Sequence, residues 1–350
     1  MRTANSPTPP QKHRIALIGF GTVAKGLCQI LEEKRTSLQR SDNFEFEVVA
    51  VATRSRGCMY HPEGLPLDLL NRLAQTATPF DEYLMGWDAP AMIKASNASI
   101  IIELAHTNLD TAEPARTHCR LALENGKHVI SANKGPAALF YTELKALADS
   151  QGLFFLNEAT VLSGTPVFSL LNNTLAGNTV TGLRAILNGT TNFILSEMER
   201  GKDFQQALEI AHQCGYLEAD RSADIDGYDA QAKLAILANV LGAQVKLSDI
   251  KCEGISDITS QRVLDAWHTG KRWKLIASLS NLGDKVTASV RPELLDLSDP
   301  LAQVSDTQNA LSFSTDLLGD ITITGPGAGS VETGYGILSD LLTLNKEGIS

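Results

Sequence analysis

The apolar run RIALIG at residues 14–19 is followed at once by GFGTVAKGLCQILEEK, a glycine-rich turn that opens an amphipathic helix. No other stretch limits the fold as tightly. Gly19 permits a tight turn, Gly21 lets a phosphate group approach the backbone, and Ala24 lets the helix pack closely on the strand. Between a strand and a helix, this spacing reads as a dinucleotide-binding turn, with Gly19, Gly21, Thr22, Val23 and Ala24 as the expected contacts.

The second strand, FEFEVVAVAT, ends at Thr53 and is followed by Arg54, Ser55 and Arg56. A carboxylate at this place would hold the adenosine ribose hydroxyls of NAD, whereas an arginine accommodates the 2′-phosphate of NADP. There is no acid and there are two arginines, which favours NADP over NAD. The alternative is a pair of solvated loop arginines. Residues 57–79 read as irregular. Strand ASIIIELAH, a turn at 107–111, helix PARTHCRLALENGK and strand HVISANK then continue a β-α-β alternation, which implies a parallel sheet with right-handed crossovers. Ala105, His106, Ala132, Asn133 and Lys134 fall at strand carboxyl ends, on the rim where ligands bind. Lys134 stands where a nicotinamide ring would project, although a lysine after a strand is most often simply solvated.

Beyond helix TELKALADSQG and strand LFFLNEATV, the chain carries few charges up to residue 200. Asn188-Gly189-Thr190-Thr191-Asn192 reads either as a backbone nest with threonine hydroxyls at a helix start or as an ordinary capped turn. Residues 214–243 are more unusual. Glu218, Asp220, Asp224, Asp226 and Asp229 crowd a loop-like segment, and the helix after it bears a single charge, Lys233. Asp226 or Gly227 suits the helix start and Gly242 its end. Asp229 and Lys233 lie one turn apart on one face. Such a pair on a surface is worth well under about 1 kcal/mol. Here the helix is apolar nearly all round, which is how a buried helix reads. A buried lysine must be paired or lose its proton, so it can exchange a proton near neutral pH.

The 350 residues provide for two domains, and a formal net charge of −10 argues against nucleic acid or an anionic membrane as a partner. No apolar run is long enough to span a bilayer, and residues 1–13 read as a disordered arm without a signal peptide's apolar region. Five scattered cysteines and seven unclustered histidines show no metal spacing, so reduced thiols and a cytoplasmic location are expected.

The segments GFGTVAKG (19–26), ANKGPAA (132–138), EATVLSGTP (158–166), ILNGTTNFIL (186–195), GYLEADRSADIDGYDAQAKLAIL (215–237) and GPGAG (325–329) resemble the homoserine dehydrogenase family over almost the whole chain. The resemblance implies NAD(P)-dependent, reversible reduction of L-aspartate 4-semialdehyde to L-homoserine, a step of threonine and methionine biosynthesis. By the same resemblance Lys134, Lys233 and Asp229 are catalytic, and Glu218, Asp224, Gly189 and Thr190 bind substrate. Gly327 belongs to the segment that returns to the cofactor, and backbone carbonyls of Glu158, Val161, Ser163 and Thr165 match those that hold a sodium ion. Where relatives more often have glycines in that last segment, this chain has Ser163 and Thr165.

The expectation is an α/β protein with a Rossmann-type parallel sheet domain and an inserted α+β catalytic and dimerisation domain. Its boundaries are 14–152 for the dinucleotide-binding domain, 153–324 for the inserted domain and 325–350 for the C-terminal return. A homodimer is expected, with residues 244–320 as scaffold and interface. Only 21 residues follow Gly329, which leaves no room for a fused regulatory domain, and threonine feedback is not expected. Arg221 stands where the family usually has proline, which keeps open a different small amino or hydroxy aldehyde as substrate. A non-catalytic NADP-binding sensor would have lost one of the lysines or carboxylates, and none is lost.

Overall fold

In the computed structural model, which describes residues 12–76, 83–217, 222–243, 245–282 and 285–349, the N-terminal apolar segments form one sheet. Its strands are β1 (Lys12–Ile18), β2 (Glu45–Thr53), β3 (Gly57–Tyr60), β4 (Leu84–Met85), β5 (Ile100–Glu103), β6 (His128–Ser131) and β7 (Phe155–Leu156), in the order β4-β3-β2-β1-β5-β6-β7. Strands β2, β1, β5, β6 and β7 run parallel, because each is joined to the next by a crossing that carries a helix back over the sheet. The helices are α1 (Thr22–Asp42), α2 (Leu67–Ala74), α3 (Ala89–Ala95), α4 (Ala115–Glu124) and α5 (Lys134–Ser150). Strand order reverses beside β1, between β2 and β5, and a crevice opens there at the strand carboxyl ends.

Three local expectations are corrected. The first strand begins at Lys12, so residues 12 and 13 are not part of an arm; residues 1–11 lie outside the described residues. His13 is fully buried, stacks on Phe44 at 5.0 Å and shares a hydrogen bond between Nε2 and Asn345 Oδ1 at 2.9 Å. The segment expected to be irregular, 57–79, instead adds β3 antiparallel to β2 and then α2, while residues 77–82 lie outside the described residues. Finally, LFFLNEATV is extended only at β7. Its Glu158 carboxylate turns inward and accepts N–H bonds from Val167 (2.6 Å), Phe168 (2.9 Å) and Ser169 (2.7 Å), which bends Glu158–Thr160 into a single 3₁₀ turn.

A second sheet comprises β8 (Val180–Ile186), β9 (Lys251–Cys252), β10 (Lys271–Ser280), β11 (Thr287–Asp296), β12 (Gln308–Thr315) and β13 (Gly319–Pro326), ordered β13-β12-β8-β10-β11-β9. It is antiparallel apart from the β9–β11 pair. The β12–β13 hairpin turns at 316–318, and Gly319 and Asp320 already lie in β13. The α-helices of this half, among the described residues, are α6 (Gly189–Glu199), α7 (Phe204–Gln213), α8 (Ser222–Ile225), α9 (Tyr228–Val240) and α10 (Ser260–His268). The chain ends with α11 (Ser330–Lys346), which returns to pack along α1. Glycines allow that approach: a Cβ on Gly26 would lie 1.9 Å from Ser330 O, and one on Gly334 would lie 2.6 Å from Leu27 N. Among the described residues no helix is long and apolar enough to cross a membrane.

Candidate active site

Helix α9 starts at Gly227, whose φ of +85° suits a residue without Cβ, and a Cβ there would press on Cys252 Sγ at 3.1 Å. This start puts Asp229 in the first turn and Lys233 one turn later, on a helix buried over most of its surface. Lys233 is only 8% exposed. Its Nζ lies 2.8 Å from Asp229 Oδ2 and also donates to Leu187 O at 2.8 Å. The other carboxylate oxygen, Asp229 Oδ1, accepts from Lys134 Nζ at 2.6 Å. One carboxylate therefore bridges two ammonium groups.

Lys134 is the first residue of α5, not the end of a strand. Asn133 caps that helix by accepting from Gly135 N at 3.0 Å, and its Nδ2 donates to Ala105 O (3.0 Å) and His106 O (3.2 Å). The cap thus ties the lysine to the rim above β5. A cation at a helix N-terminus is disfavoured by the helix dipole, and Asp229 offsets this.

The NGTTN segment is both a capped turn and part of the site. The cap is asparagine, which corrects the expectation of threonine caps: Asn188 Oδ1 accepts from Thr191 N at 2.8 Å. Asn188 Nδ2 donates to Asp224 Oδ1 (2.6 Å) and Asp229 Oδ2 (3.1 Å), joining the two carboxylates. The threonine hydroxyls donate to main-chain oxygens, Thr190 to Tyr216 and Thr191 to Asn188. Gly189 must be small, since a Cβ would lie 2.5 Å from Thr307 O. Glu218, together with Asp220 and Arg221, lies outside the described residues.

Electrostatics separate the two lysines. Burial pushes the Lys233 ammonium below the usual lysine range, with Asp229 opposing and Lys134 assisting. Lys134 is held above that range because its attraction to Asp229 outweighs burial. Burial would raise the Asp229 carboxyl, but the two ammonium groups win and hold it well below the usual carboxylate range. Asp224 is pushed up by burial against its hydrogen bond from Asn188. The site is therefore an ionised carboxylate between one firmly protonated lysine and one that gives up its proton more readily.

These groups line a cleft of about 780 Å³, with Gly189, Thr190 and Gly327 on its walls. The glycine turn lies at the crevice. Gly19 has φ +94°, and a Cβ there would meet Leu104 O at 2.6 Å, whereas Gly21 faces open space. Gly21 caps α1 without a side-chain bond, and the first turn has no acid, so the N–H groups following Gly21 suit a pyrophosphate. Thr22 is exposed, Val23 half-buried and Ala24 buried. The start of α11 meets this turn, with Ser330 Oγ donating to Thr22 O at 2.6 Å. At the end of β2, Arg54 is exposed. Arg56 is half-buried, donates through Nη2 to Leu73 O at 3.0 Å and sits 5.8 Å from the Phe20 ring centre.

Ser163 adopts a left-handed φ of +56° without being glycine, and its Oγ is 2.9 Å from Thr333 Oγ1. Among the described residues, the carbonyl oxygens of Val161, Ser163 and Thr165 accept no hydrogen bond, as oxygens available to a cation would. Sequence reasoning assigned no role to Asn188, although it begins the NGTTN segment. It also passed over Glu103, which accepts from Ala105 N and meets His118 Nδ1, each at 2.7 Å, under the rim. A single acid inside an otherwise apolar strand was the available signal.

The homoserine dehydrogenase family profile matches residues 166–342, and the profile of that family's NAD-binding domain matches residues 19–157. An NAD(+)-dependent homoserine dehydrogenase of Pseudomonas canavaninivorans is 41% identical over 340 residues, which is 96% of this chain and 97% of the relative. The structure of a homoserine dehydrogenase from Thiobacillus denitrificans superposes with TM-score 0.83 at 32% identity, covering 97% of this chain and 74% of that one. A hyperthermophilic archaeal homoserine dehydrogenase in complex with NADPH gives TM-score 0.82 at 28% identity, covering 97% and 99%. Agreement of both profiles along the chain, and of relatives over nearly its full length, means that the protein belongs to the homoserine dehydrogenase family of NAD(P)-dependent oxidoreductases, which interconvert L-aspartate 4-semialdehyde and L-homoserine.

Proposed function

We propose that the protein carries out this reaction with Lys233 as the group that exchanges a proton with the substrate oxygen. The observation that carries the reading is the saturation of two of the three Lys233 hydrogens by Asp229 Oδ2 and Leu187 O, which leaves one for a ligand in the cleft. When bound, the nicotinamide supplies or accepts the hydride. As charge develops on the aldehyde oxygen, Lys233 donates its proton, and Lys134 adds a fixed positive charge nearby. Asp229 holds both lysines in place. Asp224, together with Glu218, binds the substrate ammonium group, and Gly189 and Thr190 border the point where substrate meets cofactor.

The pH dependence tests this. Homoserine oxidation needs neutral Lys233 as base, so its rate rises with pH, with a midpoint below the ordinary lysine value of 10.5 because burial lowers the Lys233 pKa. Semialdehyde reduction needs the ammonium form and falls through the same midpoint. Midpoints at or above 10.5 in both directions would exclude Lys233 from this role.

For the cofactor we propose a preference for NADP, carried mainly by exposed Arg54. Arg56 stiffens the turn through Leu73 and Phe20. Arg54→Ala is expected to raise the KM for NADP about tenfold, as for a lost charge-assisted contact, and to leave that for NAD within about twofold. Equal changes for both nucleotides would contradict it.

The available carbonyls of Val161, Ser163 and Thr165 support a monovalent cation held by them together with the Glu158 carbonyl. It would fix the turn between β7 and the α11 contact; a thermal midpoint indifferent to Na⁺ would count against it. The reading further takes residues 14–152 with 325–350 as the cofactor lobe and 153–324 as the catalytic lobe, with β7 joining the first sheet from beyond residue 152. A cytoplasmic homodimer is proposed. Five unbridged cysteines fit a reducing compartment. Exposed Leu294 on β11 and Leu317 and Leu318 in the β12–β13 turn suit an interface, to be checked by light scattering.

A further inference from the structure

Asn309 is fully buried on β12, and neither its side-chain nitrogen nor its oxygen has a hydrogen-bond partner. Its neighbours of the same type behave differently. Asn133 and Asn188 cap helices and bind further groups, and Asn192 donates to Val304 O, Asp306 O and Gln308 O while accepting from Lys274. Burying an unpaired amide is costly, and folded proteins seldom keep one without use.

The location of the amide suggests a use. A Cβ on Gly327 would lie 2.2 Å from Asn309 Cγ and Nδ2, and one on Gly189 would lie 3.3 Å from Asn309 Oδ1. Gly327 and Gly189 both line the cleft. The amide therefore lies directly against Gly327 and, less closely, against Gly189, where Thr307 O is the nearer neighbour. Without a Cβ, each backbone can settle onto the amide, and an amide can donate to one and accept from the other. Which end is nitrogen does not matter, since neither end is paired.

We propose that Asn309 is a positioning residue for cofactor binding: its amide hydrogen-bonds the main chain of the Gly327 loop and the Gly189 turn when the nucleotide is bound. This rests on the proposed reading that Gly189 borders the point where substrate meets cofactor, and on Gly327, in the segment returning to the cofactor, lining the same cleft. The unpaired amide of the free protein is then a site kept ready, and its hydrogen bonds add to nucleotide affinity.

The test uses Asn309→Ala, with Asn309→Leu as a second variant closer to asparagine in length. Both are measured for thermal midpoint without ligand, midpoint shift with nucleotide, and KM for nucleotide against kcat. Because the amide is unpaired without ligand, its removal is expected to leave the ligand-free midpoint within about 2 °C. The loss of two hydrogen bonds on binding is expected to raise the nucleotide KM about tenfold, with a smaller ligand-induced shift and kcat within about threefold. An unchanged nucleotide KM overturns the proposal, and so does loss of folding in both variants, which would make the amide structural. Gly327→Ala separates the two levels of inference. If it leaves nucleotide KM unchanged, the placement of the cofactor in this cleft is wrong; if it raises KM while the Asn309 variants do not, only the role of Asn309 is wrong.

Discussion

Lys233→Ala is expected to lower kcat for L-homoserine oxidation by about 10²- to 10⁴-fold, the range for removing a positioned acid–base group. Nucleotide affinity should stay within about twofold, because the glycine turn on α1 and the Arg54 region are built from other elements. The side chain is buried, so alanine also leaves a cavity in α9. Lys233→Met, which keeps the unbranched stem, separates that packing loss from the chemistry. Both variants should lose turnover, and methionine should lose less stability. Asp229 remains paired with Lys134 in either case, so no carboxylate is stranded. Near wild-type kcat in both variants would remove Lys233 from the mechanism.

Asp229→Asn should be as damaging for a different reason. The carboxylate is the counter-ion of two lysines, at 2.6 Å and 2.8 Å, and without it two ammonium groups face one cleft wall. Breaking a buried pair by removing one partner typically costs about 3–5 kcal/mol. The lower end applies here, because the Lys134 side chain is 27% exposed and partly screened. Lys233 will also shed its proton more readily, since Asp229 is the main group opposing burial, with Asp224 a lesser one. The pH midpoint of any residual homoserine oxidation should therefore shift downward. The stability difference has a defined sign. Asp229 is held below its unfolded pKa, so its contribution is present above the unfolded carboxylate pKa and is lost as pH falls through the folded one. Thermal melts of the two proteins should differ most at neutral pH and converge in strong acid. A pH-independent difference would mean that the loss is one of packing.

Features that depend on residue type at fixed short spacing were the legible ones. The Gly19 turn could be read because a positive φ and a close approach to Leu104 leave few residue choices. Asp229 and Lys233 could be read because one helical turn separates them on an otherwise uncharged helix. The Lys134–Asp229 bond spans 95 residues and has no local signature; only the family resemblance paired the two lysines. Glu158 misled the strand assignment for the same reason, since its carboxylate caps amides 9 to 11 residues ahead, and periodicity cannot register such a bond. Ser163 shows the converse: a glycine is not required where Thr333, 170 residues away, supports the left-handed backbone through its hydroxyl. Asn188 and Asn309 were invisible because an asparagine in a loop or strand has many bland explanations, and only tertiary contacts distinguish them.

On this account L-homoserine gives its hydride to a nicotinamide nucleotide and its hydroxyl proton to the carboxylate-bridged lysine pair. This is tested most directly by following nicotinamide reduction by absorbance with purified protein, L-homoserine, and NADP or NAD at equal concentration. The account predicts homoserine-dependent reduction that is faster with NADP. Binding of both nucleotides with no reduction of either would contradict it.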